Sequence, residues 1–398
     1  MSQDWTIRAC RVFLVPAEGA GGDYHRQRRG HWLIDTPIAN PMSGYPEYRA
    51  SRTSWGIGVL GSIVVELEAA CGVTGVATGF GGPPAAWLVN AHLSRFVLGT
   101  DARRVNRIWD QMHRATMFYG RTGLPMAAIS VIDLALWDLL GRLRGEPVVD
   151  LIGGACRDET TFYCTGPRPE AARAMGFWGG KVPLPHGPAE GEAGLRANVA
   201  FLSAHRDAVG PGYPLMVDCY MALDVPYATR LVAKCRDLDI YWWEEALHPG
   251  DADGYRALRA AHPDQRWTTG EHDYARYGFR PLIEGRLVDV LQPDMMWAGG
   301  LTETLRIAAH AAAYDLPVIP HGSGPYAYHF VASQPHLDHC EYVAASPDGR
   351  SILPVFGSLF ADEPMPEGGR IGAPRGPGFG MDLADRAALT LYEEGLTQ

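Results

Sequence analysis

Pro214-Leu-Met-Val-Asp-Cys219, Ile240-Tyr-Trp-Trp-Glu-Glu-Ala246 and Trp267-Thr-Thr-Gly-Glu-His272 are three short apolar runs, each with a carboxylate at or near its C-terminal end. Amphipathic stretches lie between them, Tyr227–Asp237 and Gly254–Ala261. A short apolar run followed by a few helical turns reads as a strand and its crossover, and repetition of that unit predicts a parallel sheet. The same texture continues on both sides. Upstream are the runs Thr161–Thr165 and Gly180–Leu184, with a helix candidate at Ala193–Ala208. Downstream are Val288–Asp294, Pro317–His321 and Cys340–Ala344, with helix candidates at Ala275–Ile283 and Thr302–Tyr314. Eight strand candidates with mostly helical crossovers favour a closed barrel over an open sheet.

The N-terminal third has a different pattern. Ile7–Val15 alternates like a strand, and Gly19–Asp23 is a glycine-rich loop. Ile57–Glu68 is a β-branched run that ends in strict alternation, and Gly72–Thr78 is its candidate hairpin partner. Helical stretches follow at Trp87–Phe96 and Val105–Ala115. Met126–Arg144 is a strong helix, with apolar residues at three- and four-residue steps and basic residues in its last turn. The expected division is an α+β domain over 1–125, a barrel over 126–350, and a Pro/Gly-rich segment over 351–398 that returns to the first domain.

Composition narrows the function classes. The chain has 398 residues, 46% hydrophobic and 20% charged, as ordinary globular proteins have. Its formal charge is −10 and no dense Lys/Arg tract occurs, which argues against nucleic acid as a partner. No uninterrupted run reaches the roughly 18 apolar residues of a membrane span, so no membrane partner is expected. Met1–Arg11 carries Asp4, Arg8 and Arg11 and lacks a signal-peptide core. Seven scattered cysteines without a C-x-x-C pair read as free thiols in a reducing cytoplasm, not as a disulfide framework or a thiolate zinc site.

In a parallel barrel the site lies at the C-terminal ends of the strands. The residues there are Lys181, Asp218, Glu244, Glu271, Asp294, His321 and Glu341. Asp218 and Glu244 are 26 residues apart; Glu244 and Glu271, like Asp294 and His321, are 27 apart. Each step is about one strand–helix unit, so consecutive residues belong on neighbouring strands at similar depth. Any one of these acids alone reads as a solvated loop residue or a helix cap. Asp218, Glu244 and Glu271 together would repel one another in a dry mouth, and a hard divalent cation resolves that. All-oxygen ligation favours Mg²⁺ (or Mn²⁺) over zinc, and one Mg²⁺ per subunit is expected. Asp294 and His321 form a second constellation, in which a carboxylate on one imidazole nitrogen raises the basicity of the other. Against it stands the commoner fate of a lone histidine, a satisfied structural position. Trp242-Trp243 reads as core more than as a ligand stack, and Gly79–Gly82 lacks the strand–turn–helix setting of a phosphate loop.

The motifs V-D-C-Y (217–220), W-W-E-E (242–245), T-T-G-E-H (268–272), Q-P-D (292–294) followed by G-G (299–300), and P-H-G-S (320–323) resemble those of the enolase superfamily, mandelate-racemase subgroup, in order and spacing. The resemblance covers most of the chain. It implies a modified (β/α)7β TIM-like barrel with an α+β capping domain. It implies Asp218, Glu244 and Glu271 as metal ligands, His321 as acid/base oriented by Asp294, and Glu341 as a hydrogen-bond partner of the substrate carboxylate. His25, Arg52 and His272 match substrate-facing positions, with Trp55 near Arg52; Lys181 pairs with substrate or with the acid cluster. Many subgroup members carry K-x-K on the second barrel strand, whereas here Lys181-Val182 is followed by Pro183, which transfers no proton. That departure favours a dehydratase over a racemase or epimerase, which needs a base on each face of the α-carbon; a barrel that only binds a sugar acid is a third reading. His186 reads as a loop residue.

The implied reaction is Mg²⁺-dependent dehydration of an acid sugar, L-rhamnonate or a stereochemical relative such as L-lyxonate, to its 2-keto-3-deoxy acid. His321 removes the C2 proton and, once protonated, assists departure of the C3 hydroxide from the same face. The resemblance also implies a homo-oligomer.

Overall fold

The computed structural model describes residues 4–16, 30–49 and 57–396. Its N-terminal sheet is four-stranded and antiparallel, with β1 (Ile7–Leu14), β2 (Ser62–Ala69), β3 (Thr74–Phe80) and, beside β1, a strand from the C-terminal segment, Thr390–Leu391. Ile57–Leu60 is a 3-10 turn and not the start of a strand; Gly61, at φ 85°, redirects the chain into β2. The helical stretch expected at Trp87–Phe96 is present but broken, with a π-turn at Val89–Leu93 between α-helical turns.

The helix Leu124–Arg144, expected from Met126 on to open the barrel, instead lies against this sheet and packs as part of the capping domain. Pro125 starts it, Gly145 ends it in the left-handed region at φ 70°, and Arg142 and Arg144 sit in its last turn. It is long and apolar enough to cross a membrane by length and composition, yet 83% of that window is buried inside the protein, which makes it a core helix. The sheet approaches it so closely that a Cβ on Gly75 would meet the Leu139 backbone nitrogen at 2.2 Å.

The second body is a curled parallel sheet whose last strand, His339–Val343, lies beside its first, Glu159–Thr165, with the others following in chain order. These strands are β4 (Glu159–Thr165), β5 (Gly180–Pro183), β6 (Leu215–Asp218), β7 (Ile240–Glu244), β8 (Trp267–Thr269), β9 (Val290–Leu291) and β10 (His339–Val343). Helices connect most of them, and the architecture is the modified (β/α)7β barrel with an α+β capping domain. Three expected strands are short: β9 keeps only Val290–Leu291 of the run Val288–Asp294, and the other two stop for identifiable reasons. β8 stops at Thr269 because Gly270, at φ 132°, turns the chain. Pro317–His321 contributes only the parallel bridge Val318–Leu291; Pro317 and Pro320 remove ladder donors. The helix Pro325–Ser333, buried on every side, has no polar face to betray it in the sequence.

The C-terminal segment touches both bodies. β12 (Arg370–Gly372) pairs antiparallel with β4, and β14 (Thr390–Leu391) pairs with β1, while β11 (Phe360–Ala361) and β13 (Asp382–Leu383) pair with each other. All seven cysteines are free.

Candidate active site

The parallel register sets the site. Asp218 faces Glu244 across β6 and β7, and Pro183 of β5 faces Asp218. Glu244 in turn pairs with Thr268, so Glu271 stands three residues beyond that register, past the Gly270 turn. Left-handed backbone at non-glycine residues clusters here: Tyr220 and Met221 after β6, Glu245 after β7, Ala275 after β8 and Ser323 after His321. Such conformations cost of order 1–3 kcal/mol each and persist where surrounding structure enforces them, often around functional sites.

Lys181 is the cationic hub of the cluster. Almost wholly buried, it contacts Glu244, approaches Glu341 Oε1 at 2.9 Å, and lies 3.8 Å from Asp218 Oδ2. Glu244 also accepts from Gln292 Nε2 at 2.7 Å and Trp242 Nε1 at 3.1 Å. Glu341 accepts from the Thr165 hydroxyl and from the Gly322 N–H at 2.8 Å. Burial pushes Asp218 and Glu271 up from the usual carboxylate range and takes Glu244 to about 8, with neighbouring acids adding to the effect. Burial acts on Glu341 in the same direction, but the charges of Lys181 and His321 overcome it and hold the carboxyl at about 2.

His321 Nδ1 lies 2.8 Å from Asp294 Oδ2, and its Nε2 lies 3.3 Å from Glu271 Oε1. Asp294 is fully buried; its Oδ1 accepts from the Met296 N–H at 2.7 Å and the Ser323 hydroxyl at 3.1 Å. Burial lowers the His321 imidazole, but Glu271, Glu341 and Asp294 outweigh it and raise it well above its ordinary value.

A second imidazole–carboxylate pair lies beside the first. His272 Nδ1 is 3.0 Å from both oxygens of Glu245, and its Nε2 is 3.9 Å from Glu271 Oε1. Burial lowers this imidazole as well, yet Glu245 and Glu271 take it up to about 9. The Trp297 ring lies 5.0 Å from His272 and 5.9 Å from His321, centroid to centroid. Glu245 did not emerge from sequence reading. Its signal was the doubled acid of W-W-E-E, which strand alternation alone sends away from Glu244; the positive φ at Glu245 brings it to His272.

Asp218, Glu244, Glu271, Asp294, His321, Glu341 and Lys181 thus converge. His272 joins them through Glu271. His25, Arg52 and Trp55 lie outside the described residues. His186 pairs with Glu190 at 2.5 Å and its backbone with Asn198, on the loop after β5. Trp242 and Trp243 are core residues, Trp242 packing edge-on against Tyr163.

Among the described residues, Glu245, Glu271 and His272 offer possible ligand atoms within 4.8 Å of one another. The chemistry separates this set from the expected one. Both Glu245 oxygens face an imidazole nitrogen, whereas Asp218, Glu244 and Glu271 are buried acids pushed up by burial and by one another, with Lys181 as their fixed cation. An all-oxygen set short of positive charge fits a hard divalent ion.

Two family models match the chain: "Mandelate racemase / muconate lactonizing enzyme, N-terminal domain" over residues 52–153 and "Enolase C-terminal domain-like" over residues 169–387. An L-rhamnonate dehydratase of Saccharopolyspora erythraea is 50% identical over 384 residues, 96% of this chain and 98% of that one. The crystal structure of rhamnonate dehydratase from Gibberella zeae complexed with Mg is 58% identical, with a TM-score of 0.96 and coverage of 98% of this chain and 97% of that one. A 3,6-anhydro-D-galactonate cycloisomerase from Zobellia galactanivorans is more distant, 27% identical with a TM-score of 0.74, covering 95% of this chain and 97% of that one.

Proposed function

The chain belongs to the mandelate racemase / muconate lactonizing enzyme family of the enolase superfamily, and on that footing we propose that it is a hydro-lyase dehydrating an acid sugar of the L-rhamnonate type to its 2-keto-3-deoxy acid. The observation that carries the reading is the His321–Asp294 dyad, with Nε2 beside the acid cluster and Pro183 where an opposing lysine base would stand.

Asp218, Glu244 and Glu271 would hold one Mg²⁺, which supplies Lewis-acid polarisation of the substrate carboxylate when bound. Asp294 accepts a hydrogen bond from His321 Nδ1–H; Glu271, engaged by the bound ion, would no longer help hold the imidazole protonated, and Nε2 would then take the C2 proton. The protonated His321 then faces the C3 hydroxyl from the same side and gives that proton to the departing oxygen. The C2–H electron pair becomes the C2–C3 double bond as the C3–O bond breaks and water leaves; the enol tautomerises to the keto acid. Lys181 and His321 hold Glu341 ionised, and an ionised carboxyl only accepts, so Glu341 would have to take up a proton on substrate binding to donate to the substrate carboxylate, the role this reading gives it. His272, His25 and Arg52 are the residues we assign to the remaining hydroxyls. Lys181 is satisfied by carboxylates, so its role in this reading is counter-ion to the cluster.

The test is 2-keto-acid formation across a panel of acid sugars including L-rhamnonate and L-lyxonate, with Mg²⁺ and with EDTA. Keto acid with Mg²⁺ only is the expected result. Deuterium exchange at C2 without keto acid would instead indicate an epimerase or racemase. His321→Asn is expected to keep Mg²⁺ and substrate binding while losing roughly 10²–10⁴ in kcat, the usual contribution of a positioned acid/base; near-normal turnover would remove His321 from the role.

A further inference from the structure

The G-G of the Q-P-D…G-G motif is gripped by a helix far away in sequence, Gly299 and Ser130 being 169 residues apart. The Gly299 N–H donates to Ser130 Oγ at 2.9 Å, and the Thr302 N–H donates to Asp133 Oδ2 at 2.9 Å. Both acceptors stand on Leu124–Arg144, one turn apart and fully buried. Trp109 Nε1, from the helix Val105–Thr116, donates to the Gly299 carbonyl at 2.7 Å, and Trp137 Nε1 donates to Thr302 Oγ1 at 2.9 Å. The approach tolerates no side chain: a Cβ on Gly300, at φ 78°, would lie 2.4 Å from Asp133 Oδ2.

The other end of the gripped turn is catalytic. The Asp294 carbonyl accepts from the Trp297 N–H at 3.0 Å and the Ala298 N–H at 2.7 Å, and the Gly300 N–H donates to the Met295 carbonyl at 3.1 Å. Residues 294–300 are buried throughout. One face of the turn presents the Asp294 carboxylate to His321, and Trp297 packs beside both His321 and His272. The Ala298 carbonyl also accepts from the Ala275 N–H at 2.9 Å, which ties the turn to the chain just beyond His272. A turn closed this tightly moves as a unit, so whatever fixes Gly299–Thr302 fixes Asp294 and Trp297.

We propose that Ser130 and Asp133 are positioning residues for the acid–base dyad: from the capping-domain helix they hold the 294–300 turn, and through it Asp294 and Trp297, in register with His321. The proposal rests on the dehydratase reading for its kinetic test, but its geometry is independent of the substrate. Asp138 supplies the control. It is buried on the same helix and accepts backbone N–H groups from Val76 and Phe379, not from the turn.

The experiment compares Ser130→Ala, Asp133→Ala, Asp133→Asn and Asp138→Ala in the full-length protein, with kcat taken per folded molecule. Asp133→Ala is expected to lower kcat about tenfold or more with KM within about twofold, because a displacement near 1 Å at a catalytic group costs that much without changing substrate contacts. Ser130→Ala, the milder change, follows in the same direction if Asp133→Ala folds poorly. Asp133→Asn should restore kcat: burial pushes the Asp133 carboxyl up to about 7, and a neutral amide oxygen accepts from Thr302 equally well. Asp138→Ala should lose stability and keep kcat.

A second readout needs no turnover. The downfield proton resonance of His321 Nδ1–H, assigned by its loss in His321→Asn, should shift or broaden in Asp133→Ala and stay put in Asp133→Asn and Asp138→Ala. Unchanged kcat and resonance in folded Asp133→Ala and Ser130→Ala, or an equal effect of Asp138→Ala, would overturn the proposal. If the wild type forms no keto acid, the dehydratase reading fails and the resonance alone decides this one.

Discussion

The capping sheet and the barrel mouth treat the same residue types in opposite ways. On β1 and β2, Glu66 and Glu68 face Arg8, Arg11 and Arg386, three cations for two acids. For Glu66, burial works upward, but Arg386 and Arg11 outweigh it and lower the carboxyl; for Glu68, hydrogen bonds from Arg8 and Arg11 lower it directly. In the mouth, Asp218, Glu244 and Glu341 share the single ammonium of Lys181, while Glu271 faces the imidazoles of His321 and His272. Burial there dominates and raises all but Glu341. The sheet is electrostatically finished, whereas the mouth lacks positive charge that a cation would supply.

The largest expected effect is at Lys181. Lys181→Met strips the mouth of its fixed cation and should cost about 3–5 kcal/mol in EDTA, the usual consequence of breaking a buried ion pair. Urea denaturation measures it; a loss no bigger than that of a surface pair would erase the contrast between the two regions. Mg²⁺ comes next. At a hundredfold excess over its Kd it should stabilise the wild type by about 2.7 kcal/mol. Asp218→Asn or Glu271→Gln should abolish that gain and Glu245→Gln should preserve it. Loss in Glu245→Gln with retention in Asp218→Asn would move the ion to the Glu245, Glu271 and His272 set.

The pH dependence should differ in sign. Glu244 has a folded value near 8, above its ordinary 4.5, so its burial costs nothing below about pH 4.5 and progressively more as pH rises toward 8. Stability in EDTA should therefore decline over that window, and Mg²⁺ should flatten the decline. Glu66 is lowered, so its contribution is present above pH 4.5 and fades as pH falls below it. Denaturation midpoints between pH 3.5 and 8, for wild type, Glu244→Gln and Glu66→Gln, separate the two. The smallest effect is expected for Arg386→Ala, whose guanidinium is half exposed: about 1 kcal/mol or less, with turnover unchanged. A drop in kcat there would link the sheet to the site.

Much of the site was legible because its residues end local units. Asp218, Glu244 and Glu271 recur at one strand–helix spacing, as do Asp294 and His321; Asp218 and Glu244 do share register, whereas Glu271 stands three residues beyond Thr268, the partner of Glu244, and reaches the mouth past the Gly270 turn. Strand lengths were less legible. The runs at Trp267–His272 and Pro317–His321 look like full strands, but Gly270 and the two prolines cut the ladder short. The helix Pro325–Ser333 hid because a segment buried on all faces carries no amphipathic period.

The order of apolar runs and the acids that close them determined the barrel and the cast of its mouth, since both depend on neighbours within about thirty residues. Only tertiary structure decided the pairings. It turned Glu245 onto His272, set Lys181 among carboxylates from three other strands, and laid Ser130 and Asp133 against Gly299 and Thr302. The physical reason is that strand alternation and helical period specify which way a side chain faces, while the group it meets there depends on how the sheet curls and how the capping helix docks.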